Sequence, residues 1–245
     1  MSRFDRLSSL IARFTLTVSV TDPAQANLVV YQHRETAEPC RILMTPHGVV
    51  GSQCPSAESI MLSALTEWGG GDNPLFSALP EQIELSIHSD PQMRMLVQLI
   101  QSEAEAQRCG SGAVLNRLGE VLIVRLLRTQ LEQGSTAVGL LGGLADARLS
   151  RAIVAIHEAP GKPWRNEEMA ETAGLSLSRF AELFLKRVGE TPQAYLRRWR
   201  MLLARQDVQQ GERIQTVARR YGYGSSEALG RAFRRQFGDS PIRSR

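Results

Sequence analysis

The apolar positions change period along the chain. Between residues 14 and 50 they fall in short runs, FTLTVSV, ANLVVYQ and CRILMTP, rich in Val, Leu, Ile and Thr. Asp22-Pro23 and Pro46-His47-Gly48 punctuate these runs as turns, so the stretch reads as strands of a small β-barrel or sandwich. Residues 51–90 are irregular, with Gly69-Gly70-Gly71-Asp72-Asn73-Pro74 as the clearest loop. ESIMLSALTEW, just before that loop, suits a strand or a helix. From Pro91 the period is helical. Met95, Leu96, Leu99 and Ile100 make one stripe, and after Gly110-Ser111-Gly112 a second runs through Val114, Leu115, Leu118, Val121, Leu122 and Leu126 to about Gln133. The Gly-rich GSTAVGLLGGLAD at 134–146 reads as a domain boundary. A helix over about 147–158 follows, with Leu149, Ile153 and Ile156 on one side and Pro160-Gly161 at its end.

What comes next is a tandem repeat. AGLSLSRFAELFLKRVGETP, ending at Pro192, is echoed by YGYGSSEALGRAFRRQFGDSP, ending at Pro241. With Ser176 set on Ser225, Phe180 meets Leu229, Phe184 meets Phe233, Gly189 meets Gly238 and Pro192 meets Pro241, a period of 49. Upstream, Ala170 and Gly174 match Ala218 and Gly222, with one extra residue in the second turn. Each unit therefore reads as helix, Gly-containing turn and helix, at about 166–187 and about 214–237. In the first, Met169, Ala170 and Ala173 face inward, Asn166 is placed to cap, and Leu177, Phe180, Phe184 and Val188 form the buried side of the second helix. Ser178, Arg179, Glu182 and Lys186 lie opposite, where a major groove could receive them. In the second unit Ile214, Val217, Ala218, Tyr221, Leu229, Ala232, Phe233 and Phe237 pack inward. Ser226, Glu227, Arg231, Arg234 and Arg235 are left outside.

Charge sharpens this picture. The chain's net +4 is the sum of unlike halves: residues 1–145 hold ten Lys/Arg and fourteen Asp/Glu, whereas 146–245 hold nineteen and eleven. The basic half has only Lys162 and Lys186 as lysines. Arginine is the cation suited to forked contacts with phosphate and guanine. Between the repeats lies TPQAYLRRWRMLLARQDVQQ, a helix of about 18–20 residues and so about 27–30 Å at ~1.5 Å per residue. Successive major-groove faces of B-DNA recur every ~34 Å, so a rod of this length suits two reading heads on one side of a duplex. Tyr195, Leu196, Trp199, Leu202 and Leu203 give the rod an apolar stripe. Its arginines, Arg197, Arg198, Arg200 and Arg205, are candidates for phosphate. Ser176, Lys186, Ser225, Arg234 and Arg235 join them as phosphate candidates.

On these motifs residues 147–245 resemble the DNA-binding domain of the AraC/XylS family of bacterial transcription regulators. The stretches that carry the resemblance are PW at 163–164, EEMAETAGLSLSRFAELF at 167–184, GETPQAYLRRWRMLLA at 189–204 and IQTVARRYGYGSSEALGRAFRRQFGDSP at 214–241. The resemblance implies base-reading roles for Ser178, Arg179 and Glu182 in the first head and for Ser226, Glu227 and Arg231 in the second. Three positions depart from the family's habit. Glu182 stands where a basic or amide side chain is common, Gly230 interrupts the second reading helix, and Ser244 replaces an aromatic. The front half, through LMTPHG at 43–48, NPLFSALP at 73–80 and the helical pair, resembles the degenerate cupin-like sensor of one subgroup. The implied fold is α+β in two domains. A small cupin-like β-barrel with a helical pair spans 1–140, and an all-α domain of two helix-turn-helix units joined by a long helix spans 147–245.

Other chemistry is thinly supported. His33, His47, His88 and His157 lack metal-ligand spacing, so no metal, cofactor or catalytic residue is assigned. Cys40 and Cys54 flank the third strand as candidate redox thiols, against buried inert thiols as the alternative. Three cysteines, no apolar run near the ~20 residues of a membrane span, and an N-terminal MSRFDRLSSLIARF that reads as a surface helix suit the cytoplasm. The expected function is a regulator that binds double-stranded promoter DNA in two adjacent major grooves. RNA polymerase and a second copy of the chain are the other candidate partners, and the effector is unknown. Two rivals stay open: a cupin-like enzyme with a DNA-binding appendage, and a ligand-blind regulator with a vestigial sensor.

Overall fold

The computed structural model describes residues 5, 7, 11, 16–51, 54–68, 79–133, 138–238 and 240–241. The loop expected at Gly69–Pro74, most of the first fourteen residues, and Ser244 lie outside them. The chain divides into two compact units, Arg13–Ser135, and Met1–Ala12 together with Thr136–Arg245.

The Arg13–Ser135 unit carries β1 (Leu16–Val20), β2 (Leu28–His33), β3 (Pro39–Met44), β4 (Glu58–Trp68) and β5 (Ile83–Ser86). They form an antiparallel sheet in the order β1-β4-β2-β3-β5. ESIMLSALTEW is β4, which pairs with β1 from Leu16↔Trp68 and with β2 from Leu28↔Ala64. Ladders on both sides satisfy its backbone groups, and that decides for strand where periodicity did not. β5 lies in the stretch read as irregular; IELS is too short for alternation to register, and it is held by β3 through Met44↔Ile83. β2 is buried on both faces, Leu28 and Val30 on one and Val29 and Tyr31 on the other. Buried Asn27 ties the entry to β2 onto β4: its Oδ1 accepts from Thr66 N (2.8 Å) and its Nδ2 donates to Thr66 O (2.9 Å).

Helices α1 (Pro91–Ala106) and α2 (Ser111–Glu132) pack on this sheet and on each other. Asp90 caps α1 by accepting from Met93 N (2.9 Å), with Pro91 in the first turn. The buried stripe of α1 is Met93, Val97 and Ile100, whereas Met95 and Leu99 of the expected stripe are 63% and 53% exposed. Two apolar stripes lie side by side on this helix, and the sheet takes the one in phase with Ile100. On α2, Leu122, Ile123, Leu126, Leu127 and Leu131 are buried, and Val114 and Val121 stand outward. α2 covers edge strand β1 closely. Asn116 Oδ1 accepts from Val18 N (2.7 Å), and a Cβ at Gly119 would lie 2.5 Å from that of Val18.

The second unit is helical: α3 (Leu140–Ala145), α4 (Leu149–Glu158), α5 (Asn166–Ala173), α6 (Leu177–Val188), α7 (Pro192–Gln209), α8 (Ile214–Arg220) and α9 (Ser226–Phe237). α3 falls in the stretch read as a Gly-rich connection, yet Leu140, Leu141 and Leu144 are buried against α4 and α6. Gly143 is there for contact: a Cβ would come within 2.6 Å of Ile153 Cδ1 and 2.8 Å of Val188 Cγ2. α7 is the centre of the unit. Thr191 caps it, accepting from Ala194 N (3.3 Å), and Pro192 starts it. Tyr195, Leu196, Trp199, Met201, Leu202, Leu203, Ala204 and Val208 are all buried, a wider apolar surface than the single stripe read from sequence, because helices of both repeats pack around it. Among the described residues, no helix is long and apolar enough to cross a membrane.

Candidate nucleic-acid interface

The two repeats close their turns with the same backbone hydrogen bond. In the first, Gly174 turns the chain at φ 67°, and Leu175 N donates to Ala170 O (2.9 Å). In the second, Gly222 does so at φ 75°, and Tyr223 N donates to Ala218 O (2.8 Å). A left-handed residue after the last helical turn is where glycine is favoured, and the six-to-one bond closes α5 and α8 in the same manner. The added residue of the second turn falls after this closure, at Gly224. Ser225 caps α9 by accepting from Ala228 N (3.2 Å), whereas Ser176 sits at the cap position of α6 with no side-chain capping bond. Asn166 is the first helical residue of α5 and not its cap. Glu168 takes that part, accepting from Arg165 N (3.0 Å), and this bond holds its carboxyl below the usual range.

The second helix of each unit buries one side and leaves the other to solvent. On α6, Phe180, Leu183, Phe184 and Val188 are buried, while Leu177, counted inward on the sequence, is 43% exposed. Outward stand Ser178, Arg179, Ala181, Glu182, Leu185 and Lys186. Arg179 Nη1 pairs with Glu182 Oε2 at 2.9 Å. On α9, Leu229 and Phe233 are buried, Ser226 is half-buried, and Glu227, Arg231, Arg234 and Arg235 are exposed. Hydrogen bonding to the Ser225 hydroxyl, with Arg231 adding to it, lowers the Glu227 carboxyl's pKa. The period of 49 sets Ser178, Glu182 and Leu185 on Glu227, Arg231 and Arg234, so the outward faces share geometry and differ in chemistry. Like Ala181, Leu185, 52% exposed, is absent from the outward set read from sequence. Its signal was present: at 100° per residue it lies on the side of Ser178 and Glu182, and its repeat partner is an arginine.

The four rod arginines divide by their surroundings. Arg197 is exposed. Arg198 is half-buried, its Nε and Nη2 donating to Glu190 Oε1 at 2.9 and 2.5 Å. Arg200 is half-buried, donating to Pro160 O and Lys162 O at 2.7 Å each. Arg205 lies 4.8 Å from the Phe237 ring centre. Buried Asp207, near the end of α7, accepts from Tyr221 Oη (2.7 Å) and Arg220 Nη1 (2.5 Å), which fastens the second head to the rod. On the first head, buried His157 stacks 4.1 Å from Trp199 and shares a 2.5 Å hydrogen bond with Tyr195 Oη. Burial, with the Arg198 charge adding to it, pushes the imidazole down to about 3.

In the sheet unit Cys40 and Cys54 enter one small cluster with Ala26, Val29 and Tyr31, and Cys40 Sγ donates to Tyr31 O (3.4 Å). Burial pushes the Cys40 thiol pKa up, and Cys54 is half-buried. Among the described residues, no three His, Cys, Asp or Glu side chains are grouped as a metal site.

A helix-turn-helix domain family matches residues 169–245 and a cupin family matches residues 12–132. The HTH-type transcriptional regulator AlkR of Acinetobacter baylyi is 34% identical over 174 residues, covering 69% of this chain and 57% of its own. An AraC-like transcription regulator of Streptomyces lividans is 35% identical over 144 residues, 58% of this chain and 47% of its own. The chain thus spans about half the length of the curated relatives it matches. Among solved structures, the DNA-binding domain of AdpA in complex with a target DNA is 29% identical, covering 38% of this chain and 84% of that one at a TM-score of 0.36.

Proposed function

Because the chain belongs to the AraC/XylS family of transcription regulators, with a cupin-like domain ahead of its helix-turn-helix domain, we propose that it binds promoter DNA sequence-specifically and does no covalent chemistry. The two heads enter adjacent major grooves on one side of the duplex. The observation that carries this reading is the pair of helix-turn-helix units, their turns closed by the same backbone hydrogen bond, mounted on one 18-residue helix about 27 Å long. Arg231 reads a base edge with its fork, and Glu182 is suited to accept from a cytosine amino group. Ser178, Arg179, Ser226 and Glu227 complete the reading set. Arg197, Lys186, Arg234 and Arg235, with Ser176 and Ser225, meet phosphates and fix register without reading sequence. Arg198 takes part through the Glu190 pair.

The Arg13–Ser135 unit serves as the input side. Met95, Leu99, Val114 and Val121 offer an exposed apolar surface on the helical pair, which suits a second copy of the chain. Burial and a raised thiol pKa set Cys40 against reaction, which leaves half-buried Cys54, packed in the same cluster, as the thiol an oxidant would reach first. Selection of bound sites from random duplex DNA tests the main reading. Two short motifs about one helical turn apart are expected; a single motif, or none, would refute it. Mass measurement in solution tests pairing, and comparison of reduced and oxidised protein with its Cys54→Ser variant tests the thiols.

A further inference from the structure

The long helix is not the only connection between the heads. The loop before α5 belongs to the first head: Trp164 Nε1 donates to Ala159 O (2.9 Å), and Gln193 of α7 donates to Trp164 O (2.9 Å). This loop also touches the second head at backbone distance. A methyl at Gly161 would overlap the Arg220 carbonyl oxygen, and one at Gly222 would lie 2.9 Å from Gly161 O. Arg200, midway along α7, closes the contact. Its Nε and Nη2 hold Pro160 O and Lys162 O, and the same Nη2 would lie 3.5 Å from a Cβ at Gly222. Tyr223, next in the second turn, is half-buried beside it.

We propose that Arg200, with the facing glycines Gly161 and Gly222, is a latch that fixes the distance and rotation between the two heads and so sets the half-site spacing the protein accepts. This rests on the reading that both heads engage DNA. A shift of one base pair moves a half-site by about 3.4 Å and about 35° around the duplex axis. A helix joined to each head only at its ends lets the heads rock. Contact between the loop of one head and the turn of the other, pinned by a planar two-pronged donor, opposes that rocking. Lysine has the charge but not the fixed fork that spans two carbonyls.

The test measures full-chain binding to duplexes carrying the two selected motifs with the spacer changed by one base pair in each direction. Wild type is expected to lose at least about tenfold in affinity on either change, comparable to a mismatched base pair. Arg200→Ala and Arg200→Lys should bind the preferred duplex less well and flatten the spacing ratio to within about threefold, while Arg197→Ala lowers every duplex alike and keeps the ratio. Circular dichroism checks folding; should Arg200→Ala not fold, Arg200→Lys and Gly161→Ala give the same ratio. Arg200 variants with a sharp ratio, or full rescue by lysine, overturn the latch alone. A wild type indifferent to spacing overturns the two-groove reading and the latch with it.

Discussion

Arg231 and Arg197 carry the same guanidinium in different settings. Arg231 stands on the outward face of α9, whereas Arg197 is the exposed arginine of the four on the rod. Arg231→Ala should relax preference at one base position at a cost of about 1–3 kcal/mol, and Arg197→Ala should weaken all sequences alike and lower the salt slope by about 1. Site selection and a salt titration of each variant separate the two outcomes; equal sequence-blind losses would refute the division of roles. Nothing in the sequence marks the other three rod arginines as having company inside the fold. Arg198 finds Glu190 eight residues back and Arg200 finds carbonyls about forty residues back, so charge periodicity reads all four as phosphate ligands. His157 gives a second residue-scale prediction. Above pH 6.5 the imidazole is neutral in the folded and unfolded chain and contributes no pH dependence. Below it the unfolded chain binds a proton that the folded one refuses until about pH 3, so stability falls by up to about 1.4 kcal/mol per pH unit. Urea unfolding between pH 6.5 and 5 should show this loss, and His157→Gln should remove it; an unchanged slope in the variant would contradict it.

The elements show where pattern suffices and where it does not. Both helix-turn-helix units were legible because each is local: apolar residues at helical spacing, a glycine at the turn and a serine at the cap position all fall within about 24 residues. β1, β2 and β3 were legible for the same reason. β4 and β5 were not, since a strand's identity can rest on partners far away in sequence, and Ala64 is defined by Leu28 as much as by its neighbours. On α1 the choice between two apolar stripes was made by the sheet. Glycine carries no sign of its use either: Gly143 in α3 and Gly119 in α2 permit close contact and mark no break. Gly119→Ala should therefore destabilise the sheet unit by about 1–3 kcal/mol through overpacking against Val18. The double variant Gly119→Ala/Val18→Ala should recover part of that in thermal or urea unfolding, and no recovery would mean that the clash lies elsewhere.

At the scale of the whole molecule, net charge differs between the two halves, −4 over residues 1–145 and +8 over residues 146–245. With net +8 over residues 146–245, several phosphate contacts should displace counterions, and log affinity should fall linearly with log salt. The repeat sets Ser178, Glu182 and Leu185 of the first unit against Glu227, Arg231 and Arg234 of the second, while Arg179 and Lys186 also stand outward on the first and Arg235 on the second. Hydroxyl-radical footprinting of the selected duplex tests the central claim most directly. Two protected patches on one face of the DNA, their centres about ten base pairs apart, are the predicted result. One patch, or two on opposite faces, would contradict it.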